Sequence, residues 1–507
     1  MISGAEKKAL LNQEPRFDDI MCGLRATGRQ PKGIIKEMKT VMALARKFNE
    51  EVARPYALEL DWKMHVEPDY LPWDFVKKAN EWGFYTLFIP KVFGGQGFSF
   101  SCIGCLMEEL GSVCASLANL VGVHYLGYTG LMTTFHVRLM DQISRDVVAG
   151  EKTGEPRLIS FAMTEPDAGT DSQVMEFMDA GSLACQARKV EGGYEVNGTK
   201  IFISCGHLAA WHILYAYTDL EKASENMAVL VVKTGTDGFS FGKKEKKMGQ
   251  KASVASELVF RNCFIPDEYV ALDRTQMVKF SRSPRETAQQ VLSYIWAASR
   301  TGVSAFGTGS ARGALEIALT FAETTEMDGR LLINHEWCQL MLAEMYNNVA
   351  VGRLTYTETA TAVGMHALTK LFNFKPVYYL LKYTPLPLLN PVSSRTTRLR
   401  LMTWAVRKLY FDLQSDDEIA RTDGWGSVAK VVGTDAGVKN ARMALDIMGK
   451  AGVRHDQGAE KIMRDCKLYQ IYEGTNQINR LEVFKWFLQR RCPGTVCLSL
   501  QCNDGDS

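Results

Sequence analysis

No stretch of this chain approaches the roughly 20 consecutive apolar residues that a membrane-spanning helix needs, so no transmembrane segment is expected. Nor is there an excess of charge. With 59 Lys and Arg against 57 Asp and Glu, the formal net charge is +2, which removes the electrostatic basis for binding nucleic acid. The N-terminal segment has acids and lacks an apolar core, so it reads as neither signal nor transit peptide, and the expected location is cytoplasmic. The eight His form no i, i+4 pair around a Glu, which excludes a zincin-type site, and no metal is expected. The twelve Cys lack the spacing of a secreted disulfide scaffold and read as free thiols. Cys102 and Cys105 form a lone C-x-x-C on a helical stretch, while Cys492, Cys497 and Cys502 lie in a polar tail. The glycine-rich Phe93–Ser99 fits neither a dinucleotide nor a P-loop fingerprint and reads as a loop.

What is present is the composition of a globular protein, 46% hydrophobic over 507 residues, too long for one ordinary core. From Ile34 to about Phe135 apolar residues recur at three- and four-residue steps, the period of packed helices. From Leu158 to Pro266 short β-rich runs alternate with turn signals, and Asn197-Gly198 predicts a hairpin turn. Helical periodicity returns from about Ser283 to Gln489. The expected class is α+β: an N-terminal helical domain over 1–157, a central antiparallel β domain over 158–275 and a C-terminal helical domain over 276–507.

Three stretches carry candidate chemistry. Phe161–Ser172 (FAMTEPDAGTDS) crowds hydroxyls, carboxylates and Gly169 behind a strand. Such a cluster fits the polar edge of a heterocycle, or an ordinary polar turn. In Thr199–Gly206 (TKIFISCG), Phe202 and Ser204 would share one face of an extended strand. Phe202 there fits a stacked flat ring, or core packing. In the third stretch, Glu473 is the only acid between Cys466 and Glu482, among Leu468, Tyr469, Ile471 and Tyr472. Apolar company would raise its pKa toward that of a neutral-pH base; a helix N-cap or solvated turn carboxylate is the other reading.

Together these stretches resemble the acyl-CoA dehydrogenase family, and the likeness covers roughly residues 33–365 and 424–490. It extends through Met248–Pro266 and Leu445–Tyr469. The resemblance implies FAD as cofactor and α,β-dehydrogenation of an acyl-CoA thioester to the trans-2-enoyl-CoA. It implies Glu473 as the base taking the α-proton, with hydride passing to flavin N5 near Ser204. The backbone amide of Glu473 would bond the thioester carbonyl. The implied cofactor-binding set is Phe161, Met163, Thr164, Gly169, Thr170, Phe202, Ile203, Ser204, Thr475, Asn476 and Gln477, with Thr170 and Gly474 also meeting substrate. Phe202 takes the stacking position, and Thr475 and Gln477 face the adenosine part. An electron-transferring flavoprotein is the implied acceptor, and a homodimer or homotetramer the implied assembly. An enoyl-CoA reductase, a decarboxylating dehydrogenase and a non-catalytic flavin-binding relative are the other readings on this fold. The stretch 111–127 has no Arg, which argues against a glutaryl substrate.

The chain departs from the family pattern in four places. Thr325 and Asp328 stand where the family holds a neighbouring subunit's FAD with Arg and Phe. Asp446 and Lys450 replace a Gln and a Gly of the related segment. Val254, Ala255 and Ser256 replace an Asp-Thr-Arg substrate loop seen in some relatives. Finally, about 365–423 reads as an insertion in which aromatics and leucines interleave with Lys375, Lys382, Arg395, Arg398, Arg400, Arg407 and Lys408. A subunit or domain contact, a peripheral membrane surface through 368–413, and a lid over the substrate are the expectations for it.

Overall fold

The structure, a computed structural model, describes residues 3–12, 23, 30–365, 367–397, 399–492 and 494–498. After a short helix α1 (Gly4–Asn12), the N-terminal helices are α2 (Gly33–Phe48), α3 (Arg54–Val66), α4 (Trp73–Glu81), α5 (Ile103–Val113), α6 (Ala115–Met132) and α7 (Val137–Thr153). In α2 the buried side chains are Ile34, Glu37, Val41, Ala45 and Phe48, the three-to-four spacing of one helix face. Helix α6 is buried nearly all round, as its uncharged sequence requires. Phe93–Ser99 is a loop held by Gly97 N–H to Ile89 O (2.9 Å) and Phe98 N–H to Leu87 O (3.1 Å).

The strands are β1 (Leu158–Ala162), β2 (Gln186–Val190), β3 (Gly193–Ser204), β4 (Ala209–Tyr217), β5 (Met227–Lys233), β6 (Phe239–Lys244), β7 (Ala255–Pro266) and β8 (Val270–Leu272). They form one sheet in the order β6-β7-β3-β2-β4-β5-β8, with β1 paired to β4. The expected antiparallel character holds except at β4, which pairs in parallel with β1 and at one residue pair with β2. Neither neighbour reaches β4 through a hairpin, which is what would impose the antiparallel sense. The predicted hairpin at Asn197-Gly198 is corrected: the turn lies at Glu191-Gly192, with Val190 opposite Gly193 and Gly192 at φ +76°. Asn197-Gly198 instead sits inside β3 at a register shift, where Gly198 lets the backbone pass Cys185.

Beyond the sheet, α8 (Pro284–Thr324) runs 41 residues from a capping box. The Ser283 hydroxyl accepts from Glu286 N–H (3.2 Å), and the Glu286 carboxylate accepts from Ser283 N–H (2.8 Å). A two-strand hairpin, β9 (Glu326–Met327) and β10 (Arg330–Leu331), leads to α9 (Glu336–Gly364). Helix α14 (Asp416–Met448) packs along α8, and α15 (Ala459–Tyr469) and α16 (Asn476–Val483) close the bundle. Gly307 on α8 and Gly433 on α14 meet backbone to backbone, so any side chain there would force the helices apart.

The segment expected to be an insertion folds into α10 (Ala367–Asn373), α11 (Lys375–Tyr383), α12 (Leu386–Thr396) and α13 (Arg400–Leu413). Its prolines keep these helices short, although Pro391 lies inside α12. The inner face makes the expected domain contact within this chain. Arg407, 6% exposed, donates to Thr134 O (2.8 Å), Gln276 Oε1 (2.6 Å) and Ala271 O. Tyr410 and Phe411 pack on Phe135 at ring distances of 4.0 and 5.6 Å. No helix among the described residues is long and apolar enough to cross a membrane.

Arg407→Met leaves buried carbonyls of α6's C-terminal turn and β8 without their donor. It should cost about 1–3 kcal/mol of stability, read as a lower denaturation midpoint; an unchanged midpoint would show that the docked insertion adds nothing to the fold.

Candidate active site

A cavity of about 460 Å³ lies where the sheet meets α6, α8 and the turn between α15 and α16. It gathers most of the residues singled out from sequence. Phe161, Met163, Thr164, Gly169 and Thr170 line it from the first stretch, and Phe202, Ile203 and Ser204 from the second. Glu473, Gly474 and Thr475 line it from the third. Asn476 and Gln477 do not: Asn476 is buried against α14, donating to Thr434 Oγ1 (2.9 Å) and Asp435 Oδ1 (2.7 Å), and Gln477 is exposed. Thr325 is half-buried, and Asp328, Asp446 and Lys450 are exposed, all away from this cavity.

The crowding of polar groups in Phe161–Ser172 has two explanations, and the structure separates them. Glu165 is structural. Its carboxylate accepts from Lys200 Nζ (2.6 Å), Ala184 N–H (2.6 Å) and Cys185 N–H (3.0 Å), and Lys200 also donates to Met163 O (2.8 Å). That fully hydrogen-bonded buried pair pins the loop to β3. Thr164 and Thr170 are left facing the cavity, and a Cβ on Gly169 would meet only open space.

Phe202 and Ser204 both reach the cavity, though not from an ideal extended strand. The β3–β7 register shifts between Lys200 and Ile203, and Phe202 takes φ +57°. Bulging turns the Phe202 ring out, 55% exposed, while Ile203 beside it is buried. A large aromatic left uncovered at a cavity wall is a surface for a flat ligand. The substituted loop behaves differently residue by residue. Ala255 lines the cavity, whereas Ser256 faces inward and bonds His207 Nδ1 (2.7 Å).

Glu473 does not cap a helix; Thr475 does, accepting from Ile478 N–H (3.3 Å). Glu473 and Gly474 are both left-handed, at φ +56° and +76°. For a non-glycine residue that conformation costs about 1–2 kcal/mol, so neighbouring contacts must hold it. Arg300 Nε donates to Glu473 O (3.3 Å), Lys430 Nζ donates to Gly474 O (2.6 Å), and Asn479 Nδ2 donates to Gly474 O (2.9 Å). Glu473 lines the cavity, and its carboxylate Oε2 is buried with no hydrogen-bond partner among the described residues. Burial raises its pKa above the ordinary carboxylate value, while the Ser299 hydroxyl and the Arg300 and Lys430 charges pull it back.

Sequence reasoning missed the residues behind this turn. Arg300 is fully buried and donates to Asp423 Oδ1 (3.0 Å), Ser427 Oγ (2.9 Å) and Glu482. Its signal was isolation, as the only charged residue from 287 to 311. Lys430, also buried, has its pKa lowered to about 7, first by burial and then by Arg300. Gln250 accepts from Asn119 Nδ2 (3.1 Å) and Tyr472 OH (3.3 Å), tying α6 to the residue before Glu473. Among the thiols, Cys102 is buried, Cys105 half-buried and Cys492 exposed, all free; Cys502 lies outside the described residues.

Arg300→Met strands Asp423 and Glu482 without their cation. It should cost about 3–5 kcal/mol in denaturation experiments; a loss well below 1 kcal/mol would mean the cluster is not what holds the turn.

Comparison with known proteins agrees with this architecture. The descriptions "Acyl-CoA dehydrogenase, N-terminal domain", "middle domain" and "C-terminal domain" match residues 36–135, 160–263, and 290–375 with 392–488. Only 376–391 is skipped inside the last, so the stretch that the family description leaves unmatched is shorter than the expected insertion of about 365–423. The chain is 29% identical over 452 residues to cyclohex-1-ene-1-carbonyl-CoA dehydrogenase of Geobacter metallireducens, covering 89% of this chain and 97% of that one. It is 27% identical over 455 residues to a probable acyl-CoA dehydrogenase of Mycobacterium tuberculosis, covering 89% and 95%. Among solved structures, butyryl-CoA dehydrogenase of Megasphaera elsdenii superposes with a TM-score of 0.67 at 22% identity, over 89% of this chain and 97% of that one. The three matched segments take in most of the sequence, and the chain therefore belongs to the acyl-CoA dehydrogenase family, FAD-dependent oxidoreductases acting on CH–CH bonds.

Proposed function

We propose that this chain converts an acyl-CoA thioester to the trans-2-enoyl-CoA, with Glu473 as the base that takes the α-proton. One observation carries the reading. Glu473, whose carboxyl has a raised pKa and a buried, unpartnered oxygen, lines the same cavity as an uncovered aromatic, Phe202, and the hydroxyl-bearing Thr164 and Ser204. Those residues fit FAD: Phe202 offers a stacking face, Thr164 and Ser204 offer polar contacts to a ring edge, and open space at Gly169 admits close approach. FAD, when bound, supplies the two-electron acceptor for the β-hydride.

The protein's own part is orientation and proton transfer. Ile103, Met107, Val123 and Phe306 give the cavity an apolar wall for the acyl group. The Glu473 backbone N–H is the proposed donor to the thioester carbonyl, and withdrawing electron density there acidifies the α-carbon. Thr170 and Gly474 are proposed to meet the substrate as well. The left-handed turn aims the carboxylate, and burial makes it a stronger base than a solvated one. An electron-transferring flavoprotein is the proposed acceptor, supported by family membership, and a homodimer or homotetramer the proposed assembly.

The outward face of α13 bears on assembly. Leu401, Trp404 and Leu409 are 67%, 53% and 59% exposed, with Lys408 over the Trp404 ring at 5.6 Å. A second subunit is its proposed occupant, and an anionic bilayer is the alternative outcome the test admits. Sedimentation velocity with and without anionic vesicles separates them: L401D/W404D should dissociate an oligomer in the first case and release vesicle-bound protein in the second. A variant unchanged in both experiments leaves this face without either role.

Glu473→Gln should slow flavin bleaching by a saturated acyl-CoA about 10²–10⁴-fold with FAD still bound; undiminished bleaching would remove Glu473 as the base. Because the base acts deprotonated, the bleaching rate should climb with pH through a value above the ordinary carboxylate range. Lys430→Met removes a positive charge that is present below about pH 7. It should therefore move that limb to higher pH, and a limb that stays in place would dissociate Lys430 from the base.

A further inference from the structure

Three voids in this molecule share one side chain. Phe100 lines the 460 Å³ cavity, a second chamber of about 60 Å³, and a gap of about 10 Å³ between them. The gap shares Ile103 and Ala298 with the main cavity and Thr369 with the second chamber, so its lining overlaps both. Phe88, Phe98, Met132, Phe372 and Leu381 give the second chamber apolar walls, and Phe372 and Leu381 come from α10 and α11.

The insertion also fixes where the Phe100 ring stands. Ser99 caps the single turn that begins at Phe100, and its hydroxyl donates to Asn373 Oδ1 on α10 (3.0 Å). Ser99 N–H donates to Glu37 Oε2 (2.8 Å), and Glu37 in turn accepts from Tyr378 OH (2.8 Å) and Lys382 Nζ on α11. Held in this way, the ring sits edge-on to Phe88 at 6.0 Å and to Tyr125 at 6.4 Å, on the lining of all three voids. Lys91 and Lys382 stand in the chamber wall with their ammonium groups engaged, Lys91 on Lys382 O (2.7 Å) and Lys382 on Glu37. The space they leave is lined for hydrocarbon rather than for a charged terminus.

We propose that Phe100 is the chain-length stop of the substrate tunnel, closing the acyl pocket against a hydrocarbon chamber roofed by the insertion. The inference rests on the dehydrogenase reading for what the main cavity holds. A linear acyl tail then ends against the ring, and the chamber beyond becomes usable only when the ring is removed or turned. A methylene moved from water into an apolar chamber is worth about 0.8 kcal/mol, which is roughly a fourfold gain in affinity.

The experiment is a series of straight-chain saturated acyl-CoAs of increasing length against the holoenzyme, Phe100→Ala, Phe100→Leu and Phe100→Ala/Leu381→Trp. Two quantities are read, flavin bleaching as kcat/KM and calorimetric binding. Both Phe100 variants should raise the long-to-short ratio of kcat/KM by about fourfold per methylene beyond the wild-type cut-off, mainly through KM. Leu381→Trp, which fills the second chamber, should return the double variant to the wild-type ratio. Bleaching with an unaltered ratio in both Phe100 variants overturns the role of Phe100 and leaves the dehydrogenase reading intact. Tighter binding of long chains by the variants, with no bleaching in any protein, sustains Phe100 as the stop and overturns the reaction.

Discussion

A guanidinium with no access to water must find its partners within the protein, and Arg300 finds four of them on three separate segments. It meets Asp423 and Ser427 on α14, Glu482 on α16 and the carbonyl of Glu473 between α15 and α16. Because the charge is fully buried, none of these partners can be exchanged for solvent. The relative placement of α8, α14 and α16 is thereby fixed, and with it the left-handed turn that points Glu473 into the cavity. Lys430 completes the arrangement from α14 by holding Gly474 O and Asn476 Oδ1. The same two cations also temper the proposed base. Burial pushes the Glu473 carboxyl toward its neutral form, and the nearby positive charges prevent that from going too far. A structural clamp and an electrostatic adjustment are here one set of atoms.

The signature stretches divide their polar residues between holding and facing. Glu165 and Lys200 saturate each other and the local backbone, so they position the loop and are not available to a ligand. Thr164, Thr170 and Ser204 keep hydroxyls on the cavity side. Thr475 does both, since it lines the cavity and its hydroxyl caps α16. Buried polar groups that satisfy one another make a rigid frame, and a rigid frame lets the few remaining groups be aimed.

The segment from α10 to α13 is anchored by the same logic. Glu37 on α2 accepts from Tyr378 and Lys382, and Arg407 satisfies carbonyls on two other elements, so α10–α13 form part of the N-terminal packing. Its inner residues extend the wall around Phe100, while its outer apolar residues stay uncovered. One segment thus reaches both the substrate tunnel and the outside of the molecule.

Much of this was legible from the chain alone. The α, β, α order follows from periods of about 3.6 and 2 residues, which local sterics and burial impose without reference to distant residues. Glu473 stood out because a lone acid among apolar neighbours is chemically unusual wherever it folds, and the family likeness supplied its partners in the cavity. The hairpin was misplaced because Asn-Gly and Glu-Gly-Gly are both good turns locally; Gly198 was needed instead to pass Cys185, a contact made with a residue 13 positions earlier in the chain. Arg300, Lys430 and the Phe100 barrier were likewise out of reach. Each is defined by groups far apart in sequence, such as Arg300 with Glu482, or Ser99 with Asn373. The elements and the chemical groups follow from the chain alone, because those depend on side chains and near neighbours. Which carboxylate is clamped, which is exposed to the cavity and where the tunnel stops were decided by tertiary packing, since burial and pairing exist only once distant segments meet.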